Sequence, residues 1–357
     1  MAGTSSGRVR VAVNGYGVIG KRVADAVAAQ DDMELVGIAD VVNDWRIKAG
    51  ALKGYAVFAS TGAAADQMRA AGILLAGTLD DLLRRVDVVA DATPKKIATG
   101  NLDVYRAAGV KSVFQGGEKH SLTGHSFVAQ ANYTTALGRA ATRVVSCNTT
   151  SIVRTLGALK NAGLLKRARG VLIRRATDPW ESDHGGVMNT IVPEPAIPSH
   201  QGPDAQTVMP DLDVVTIAVK AAHTTSHLHA WCVELTRPAA RDEVLAAFRA
   251  APRIAFLRAD EGLVALNSTL ELMADLGRPR ADLWEVGLWV DSLTVKGDEA
   301  FYNYQVYNQA IVVPETVDAI RALSGIETNA AASIDRTDRA LGIVRDFFPH
   351  GASNAGS

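Results

Sequence analysis

Val9-Arg10-Val11-Ala12-Val13-Asn14-Gly15-Tyr16-Gly17-Val18-Ile19-Gly20 decides the fold of this chain. The first six residues alternate as a strand does, and Val23, Ala26 and Val27 continue at helical spacing. Between them stands a glycine triplet, and Leu35-Val36-Gly37-Ile38-Ala39-Asp40 adds a second strand ending in an acid 20 residues beyond Gly20. The three glycines serve different ends. Gly15 permits the turn, Gly17 lets a pyrophosphate approach the backbone, and Gly20 lets the helix pack closely. The helix N-terminus, at Val18 and Ile19, then faces the phosphates. Asp40 suits a ribose diol and repels a 2′-phosphate, so NAD is the preferred cofactor and NADP the second candidate. The competing reading of Asp40 is a turn or cap acid.

Two further short apolar strands, Val86 to Ala92 and Ser112 to Gln115, each meet a breaker, Thr93-Pro94 and Gly116-Gly117. Ligands collect at the carboxyl ends of such parallel strands, which makes Thr93 and Gly117 cofactor candidates. The expected fold is therefore α/β: a Rossmann dinucleotide-binding domain over 1–147, completed by C-terminal helices at about 315–346. Beyond it the texture changes to longer strands: Gly170 to Arg175, Leu212 to Val219, His227 to Leu235 and Trp284 to Val295. A polar, Pro-rich passage runs from Pro179 to Pro210. These predict an α+β catalytic domain over 148–314 with a mostly antiparallel sheet and one open face. Asn329 onward begins Ala-rich and helical and ends in a small-residue tail.

Ser146-Cys147-Asn148-Thr149-Thr150 sits at the junction. Arg143-Val144-Val145 reads as a strand end, and Ile152, Val153, Leu156 and Leu159 follow at helical spacing. Cys147 is thus expected at a helix mouth, where backbone N–H groups and the helix dipole favour thiolate. A nucleophile for a carbonyl follows, although a buried packing thiol is the commoner fate of cysteine. Cys232, inside Ala230-Trp231-Cys232-Val233, reads as that packing thiol. Of His223, His227 and His229, His227 stands at the start of its strand and is the preferred base for Cys147, with His229 either supporting the site from behind or a core histidine. Two histidines near Cys232 also raise a metal site, but no Cys-x-x-Cys pair or partnering carboxylate accompanies them, so no metal is expected. Arg174-Arg175 is either a solvated strand end or a phosphate fork, and Ser199-His200-Gln201 could add donors to the latter.

Bulk properties restrict the alternatives. In 357 residues, 48% hydrophobic residues exclude global disorder. A formal net charge of −1 gives no footprint for nucleic acid or a membrane surface. No apolar run reaches the roughly 18 residues that span a bilayer, and Met1 to Gly7 lacks a secretory signal's apolar core, so a cytoplasmic protein is expected. Two cysteines in such a chain make a disulfide framework implausible.

From Val11 to about Leu323 the sequence closely resembles archaeal-type, or type II, phosphorylating glyceraldehyde-3-phosphate dehydrogenase. The motifs that carry the resemblance, in order, are Val13 to Val27, Phe114-Gln115-Gly116-Gly117-Glu118-Lys119, Arg143 to Thr150, Arg174-Arg175-Ala176, Val192-Pro193-Glu194-Pro195, Pro198-Ser199-His200, His227-Leu228-His229 and Ile311 to Glu315. The resemblance implies oxidation of glyceraldehyde 3-phosphate to 1,3-bisphosphoglycerate, reversibly, through a thioester on Cys147, with His227 as base. It implies Ser146, Asn148 and His200 around the substrate; Arg174, Arg175, Ser199 and Gln201 remain, from their own chemistry, further candidates toward phosphate. Val18, Ile19, Gly117 and Arg175 fall beside the cofactor. A homotetramer in central carbon metabolism is implied, with an aldehyde and inorganic phosphate as its small-molecule partners.

The sequence departs from the family at Asp40, where a basic residue is usual, at Gln201, at Ala222-His223-Thr224-Thr225-Ser226 and at Tyr307-Asn308-Gln309-Ala310. Asn308 can still hold a carboxamide. The alternatives are the same chemistry on another phosphorylated, phosphonate or semialdehyde substrate, and a non-catalytic NAD-binding thiol redox sensor.

Overall fold

The structure is a computed structural model that describes residues 7–115, 117–177 and 190–348. Residues 1–6, Gly116, residues 178–189 at the start of the Pro-rich passage and the tail from 349 onward therefore lie outside the described residues. The chain divides into two compact units, one of Met1–Val153, Asp204–Pro210 and Gln309–Gly342, the other of Arg154–Pro203, Asp211–Asn308 and Ile343–Ser357.

In the first unit strands and helices alternate: β1 (Val9–Asn14), α1 (Val18–Ala28), β2 (Met33–Asp40), α2 (Trp45–Leu52), β3 (Val57–Ala59), α3 (Gly62–Ala70), β4 (Gly77–Thr78), α4 (Leu79–Leu83), β5 (Val88–Asp91), α5 (Ala98–Ala107), β6 (Lys111–Phe114), β7 (Ser126–Phe127), α6 (Ala129–Asn132) and β8 (Ala141–Val144). All the strands pair in parallel, in the order β4-β3-β2-β1-β5-β6-β8-β7. The chain leaves β1 for β2 on one side and later returns to β5 on the other. The carboxyl ends of β1 and β5 therefore flank the switch point where open α/β sheets bind ligands. One face packs Ala12, Phe58, Leu82, Val89, Leu102, Tyr105 and Phe114 into a buried core. Local chemistry fixes the helix starts: Asp44 caps α2, and Thr78 with Asp81 forms a capping box on α4.

α7 (Cys147–Asn161) leads into the second unit: β9 (Leu165–Arg175), β10 (Ile191–Pro193), α8 (Gln201–Gln206), β11 (Val214–Ala221), β12 (His227–Leu235), α9 (Arg241–Ala250), β13 (Ile254–Leu257), α10 (Leu266–Asp275), β14 (Val286–Trp289), β15 (Thr294–Lys296) and β16 (Glu299–Val306). The order β10-β11-β9-β12-β16-β14-β13, with β15 on β16, is antiparallel except for β11 with β9 and β13 with β14. Residues alternate buried and half-exposed along β12, so one face is open as expected.

Two expectations are corrected by the fold. The single strand expected from Trp284 to Val295 is broken by a 3₁₀ turn, Val290–Ser292, between β14 and β15. Asp291 accepts the Ala259 N–H at 2.8 Å and Ser292 Oγ the Asn303 N–H at 2.9 Å, while Arg241 donates to the Val290 and Leu293 carbonyls. Those bonds satisfy the backbone outside a ladder. Cys232 is not a buried packing thiol: it is half-exposed on the open face, beside Val171, Ile217 and Ala230. The strand's period of two puts it opposite His227, His229 and Trp231.

The chain closes with α11 (Val312–Ser324) and α12 (Ala330–Leu341) in the first unit. Every residue of α11 from Val312 to Leu323 is buried, including Glu315, Asp318 and Arg321. Buried charges need partners. Glu315 accepts the Ala129 N–H at 2.7 Å, and Asp318 accepts the hydroxyls of Ser333 and Thr337. Arg321 donates in a fork to Asp32, at 2.7 and 3.0 Å, and to Gln30 at 2.6 Å. Arg321→Ala removes the buried guanidinium that faces both Asp32 and Asp318, leaving Asp32 only the half-exposed Arg336 as a cation, so the expected loss is about 3–5 kcal/mol in urea denaturation. A loss below about 1 kcal/mol would mean that this network does not anchor the C-terminal helices.

Candidate active site

The turn after β1 has the geometry its glycines demand. Gly15 adopts φ +90°, and a Cβ there would lie 2.7 Å from the Ala92 carbonyl carbon. A Cβ on Gly20 would sit 1.7 Å from the Gly15 oxygen. Around Gly17, by contrast, a Cβ would meet nothing within 4 Å, which leaves room for a pyrophosphate against the backbone. Val18 and Ile19 open α1, whose first N–H groups lack intrahelical partners. The donor set thus fits a dinucleotide.

Asp40 serves the turn as well as any ribose. Its Oδ2 accepts the Tyr16 N–H at 2.5 Å and its Oδ1 those of Val41 and Val42 at 2.6 and 3.2 Å. The turn-acid reading is therefore realised, and the carboxylate ties the glycine turn to the end of β2. On the other side of the switch point, Asp91 is buried and accepts the N–H and hydroxyl of Thr93, the Asn101 amide and the Tyr105 hydroxyl. Tyr105 in turn accepts from Asn14, whose oxygen accepts Ser60. This network sets Thr93 at the sheet's carboxyl edge. Gly117 lies there too, exposed, beside the Lys95 side chain.

Cys147 is the first residue of α7 and is partly exposed. Ser146 caps the helix, its Oγ accepting the Thr149 N–H at 3.3 Å. Thr149 Oγ1 donates to Asp204 Oδ2 at 2.8 Å, and Asp204 Oδ1 takes Arg143 Nη2 at 2.5 Å. Arg143, 2% exposed, also donates to the Glu118 carbonyl, Ser126 and Thr207. In the sequence Arg143 reads only as part of a strand end, and Asp204 does not stand out at all. The one available signal is an arginine inside an otherwise apolar strand, which needs a buried acceptor. Asn148 is buried beside Cys147.

In the second unit His227 is 5% exposed, and its Nδ1 accepts the Arg175 N–H at 3.1 Å. Burial, then the charges of Arg175, His229, Arg174 and His223, holds its pKa well below the ordinary imidazole value. The ring is neutral, and since a backbone N–H only donates, its proton resides on Nε2. In this tautomer the other ring nitrogen, Nε2, presents a donor. His229 is buried against Tyr304, whose hydroxyl lies 2.9 Å from Nδ1, and burial followed by Arg174 pushes its pKa down to about 3. It is a core histidine.

Glu194 gathers two phosphate candidates, accepting Arg174 at 2.8 Å and facing His200 Nδ1 at 2.8 Å. Burial pushes its pKa up, but the bond and charge of His200 and the charge of Arg174 prevail and lower it. His200 is largely exposed. Ser199 and Gln201 turn inward instead. The Ser199 hydroxyl is donated to Thr216 at 2.8 Å, and both polar atoms of the wholly buried Gln201 amide lack partners. Asn308 ends the Asp211–Asn308 segment of the unit, 9% exposed. Among the described residues no group of three or more His, Cys, Asp or Glu could hold a metal ion, and no helix is long and apolar enough to cross a membrane.

Comparison with known proteins gives these features a class. Residues 9–117 match the family model described as dihydrodipicolinate reductase, N-terminus, and residues 146–276 that of the glyceraldehyde 3-phosphate dehydrogenase C-terminal domain. A dinucleotide-binding unit followed by this catalytic domain defines an NAD(P)-dependent dehydrogenase. Relatives named glyceraldehyde-3-phosphate dehydrogenase are 44% identical in Methanobrevibacter smithii, over 94% of this chain and 99% of the relative, and 44% identical in Methanothermobacter thermautotrophicus, over 94% and 100%. One from Pyrobaculum calidifontis is 45% identical over 93% and 97%. The chain belongs to the glyceraldehyde-3-phosphate dehydrogenase family.

The buried imidazoles carry a pH signature. His227, His229 and His125, the last pushed down to about 4 by burial and then by Arg139 and His120, are depressed in the folded state, whereas unfolded histidine titrates near about 6.5. The unfolded chain then binds more protons, so stability is complete above about pH 6.5 and falls as the pH drops toward about 4. Urea denaturation across that range should show the decline, shallower in His229→Gln, which keeps a partner for Tyr304 without titrating. A flat profile would contradict neutral burial.

Proposed function

We propose that this chain oxidises glyceraldehyde 3-phosphate to 1,3-bisphosphoglycerate with inorganic phosphate and a nicotinamide dinucleotide, reversibly, NAD being preferred over NADP. The observation that carries this reading is Cys147 opening α7 at the carboxyl edge of a parallel dinucleotide-type sheet, its helix start locked by Ser146, Thr149 and Asp204. NAD would supply the hydride acceptor, held by Gly15, Gly17, Val18, Ile19 and Gly20 with Asp40, Thr93 and Gly117 beside it; Arg175 and Asn308 are further proposed cofactor residues.

Cys147 thiolate attacks the aldehyde carbon, forming a C–S bond while the carbonyl π electrons move to oxygen. His227 donates from Nε2 to that oxyanion, which needs no further base: hydride departure reforms the carbonyl and leaves a thioester on Cys147. A phosphate oxygen then attacks the acyl carbon and the thiolate leaves. Arg174, Arg175 and His200 are the proposed phosphate holders, with Ser146 and Asn148 beside the reacting carbon. Ser199 and Gln201 support the same loop from within. NAD preference rests on the Asp40 carboxylate, whose charge repels a 2′-phosphate. The open apolar face around Val171 and Ile217, 40% and 41% exposed, supports assembly into the homotetramer, here proposed to work in the cytoplasm.

Mixing the protein with glyceraldehyde 3-phosphate should produce NADH only when phosphate is present, faster with NAD than with NADP. Cys147→Ser should abolish that turnover and still bind NAD, because a hydroxyl lacks a thiolate's nucleophilicity. Activity surviving in that variant would remove the mechanism. Turnover confined to a different phosphorylated or semialdehyde substrate would keep the chemistry and change the substrate.

The donor role of His227 has its own signature. His227→Leu should lower kcat by about 10²–10³-fold, as the loss of one oxyanion donor does. His227→Gln, which keeps a side-chain N–H, should retain markedly more. Equal losses would return His227 to a base.

A further inference from the structure

Directly before β12 the chain makes a strained approach to His227. Ser226 is wholly buried and adopts φ +60°, a left-handed conformation that a non-glycine residue holds only when its surroundings enforce it. Two side chains enforce it. Gln305, on the neighbouring strand β16, donates to Ser226 Oγ at 2.8 Å. His223 Nε2 lies 3.2 Å from the Ser226 carbonyl oxygen, and since a carbonyl only accepts, that imidazole nitrogen carries the proton and donates. The backbone of His223 works on the opposite flank: its carbonyl accepts the Ala176 N–H at 2.8 Å. Ala176 follows Arg175, whose own N–H is bonded to His227 Nδ1. One residue therefore holds both the peptide that precedes His227 and the segment that fixes its tautomer.

We propose that His223 is a positioning residue for His227, clamping the left-handed Ser226 through its ring and the Arg175-Ala176 segment through its carbonyl, so that Nε2–H stays aimed at the substrate oxygen. The proposal rests on the reading of His227 as the oxyanion donor and adds a residue that no part of that chemistry requires. Its physical basis is the steep dependence of such a donor on placement, where a shift of about 1 Å can cost about 10²-fold in rate. The ring's contribution is the donated hydrogen bond to Ser226, so a neutral donor of similar reach replaces it, whereas an aromatic ring of similar bulk does not. His223 is partly exposed and burial, then Arg175, lowers its pKa against the raising effect of the Ser226 carbonyl, so the neutral donor form persists around neutral pH.

Three variants of the full-length protein test this, each assayed for aldehyde oxidation with NAD and phosphate. His223→Phe keeps the bulk and removes the donor; it should lower kcat by about tenfold or more while the KM for NAD and the melting temperature stay near wild type. His223→Gln restores an N–H at similar reach and should recover most of kcat. His227→Leu is the control for the reading beneath. Undiminished kcat in His223→Phe overturns the clamp, as do equal losses in the Phe and Gln variants, which would make the imidazole itself the requirement. Full activity in His227→Leu would instead remove the donor reading of His227, a failure recognisable because wild-type turnover persists without that ring.

Discussion

A single buried guanidinium carries the arrangement of the first unit. Arg143 stands near the end of β8, 2% exposed, where an unpaired charge could not persist. Its bond to Asp204 recruits a carboxylate from 61 residues away, and the second oxygen of that carboxylate takes the Thr149 hydroxyl in the first turn of α7. Ser146 closes the same turn by accepting the Thr149 N–H. The position of Cys147 is thereby fixed by a charge that has to be satisfied, rather than by loop packing. Remaining donors on Arg143 reach the Glu118 carbonyl and Ser126, so the segment after β6 is drawn to the same point. A nucleophile needs this rigidity, because its approach to a carbonyl tolerates little misplacement.

The second unit solves a related problem with neutral groups. His227 and His229 lie on the buried face of β12, and burial keeps both uncharged. What distinguishes them is the partner of Nδ1: a tyrosine hydroxyl for His229, a backbone N–H for His227. The second partner allows one tautomer only. The oxyanion-donor role proposed for His227 follows from that tautomer, a fixed dipole being most effective in a buried site.

Much of this is legible in the chain because the governing physics is local. Gly15, Gly17 and Gly20 sit between a period-two segment and a period-3.6 segment, and Asp40 ends the next strand, so the turn, its helix and its acid follow from spacing alone. Cys147 is equally legible, since a strand end and a helical stripe bracket it. The misreadings all involve partners remote in sequence. Asp204 is invisible as a neighbour of Arg143 and Thr149 until the chain folds. The break at Val290–Ser292 depends on the Ala259 and Asn303 amides. Alternation along β12 predicts that Cys232 and the histidines lie on opposite faces, but which face is covered is decided by packing. The tautomer of His227 is the least accessible, being set by the Arg175 N–H, 52 residues away.

In the proposed mechanism, acylation of Cys147 and its discharge by phosphate is the step on which the chemistry turns. The intact mass of the protein, recorded after mixing with glyceraldehyde 3-phosphate and NAD in phosphate-free buffer, tests it most directly. One acyl adduct is predicted, mapping to Cys147 and disappearing on addition of phosphate as acyl phosphate is released. NADH formation with no adduct, or an adduct on Cys232 alone, would contradict it.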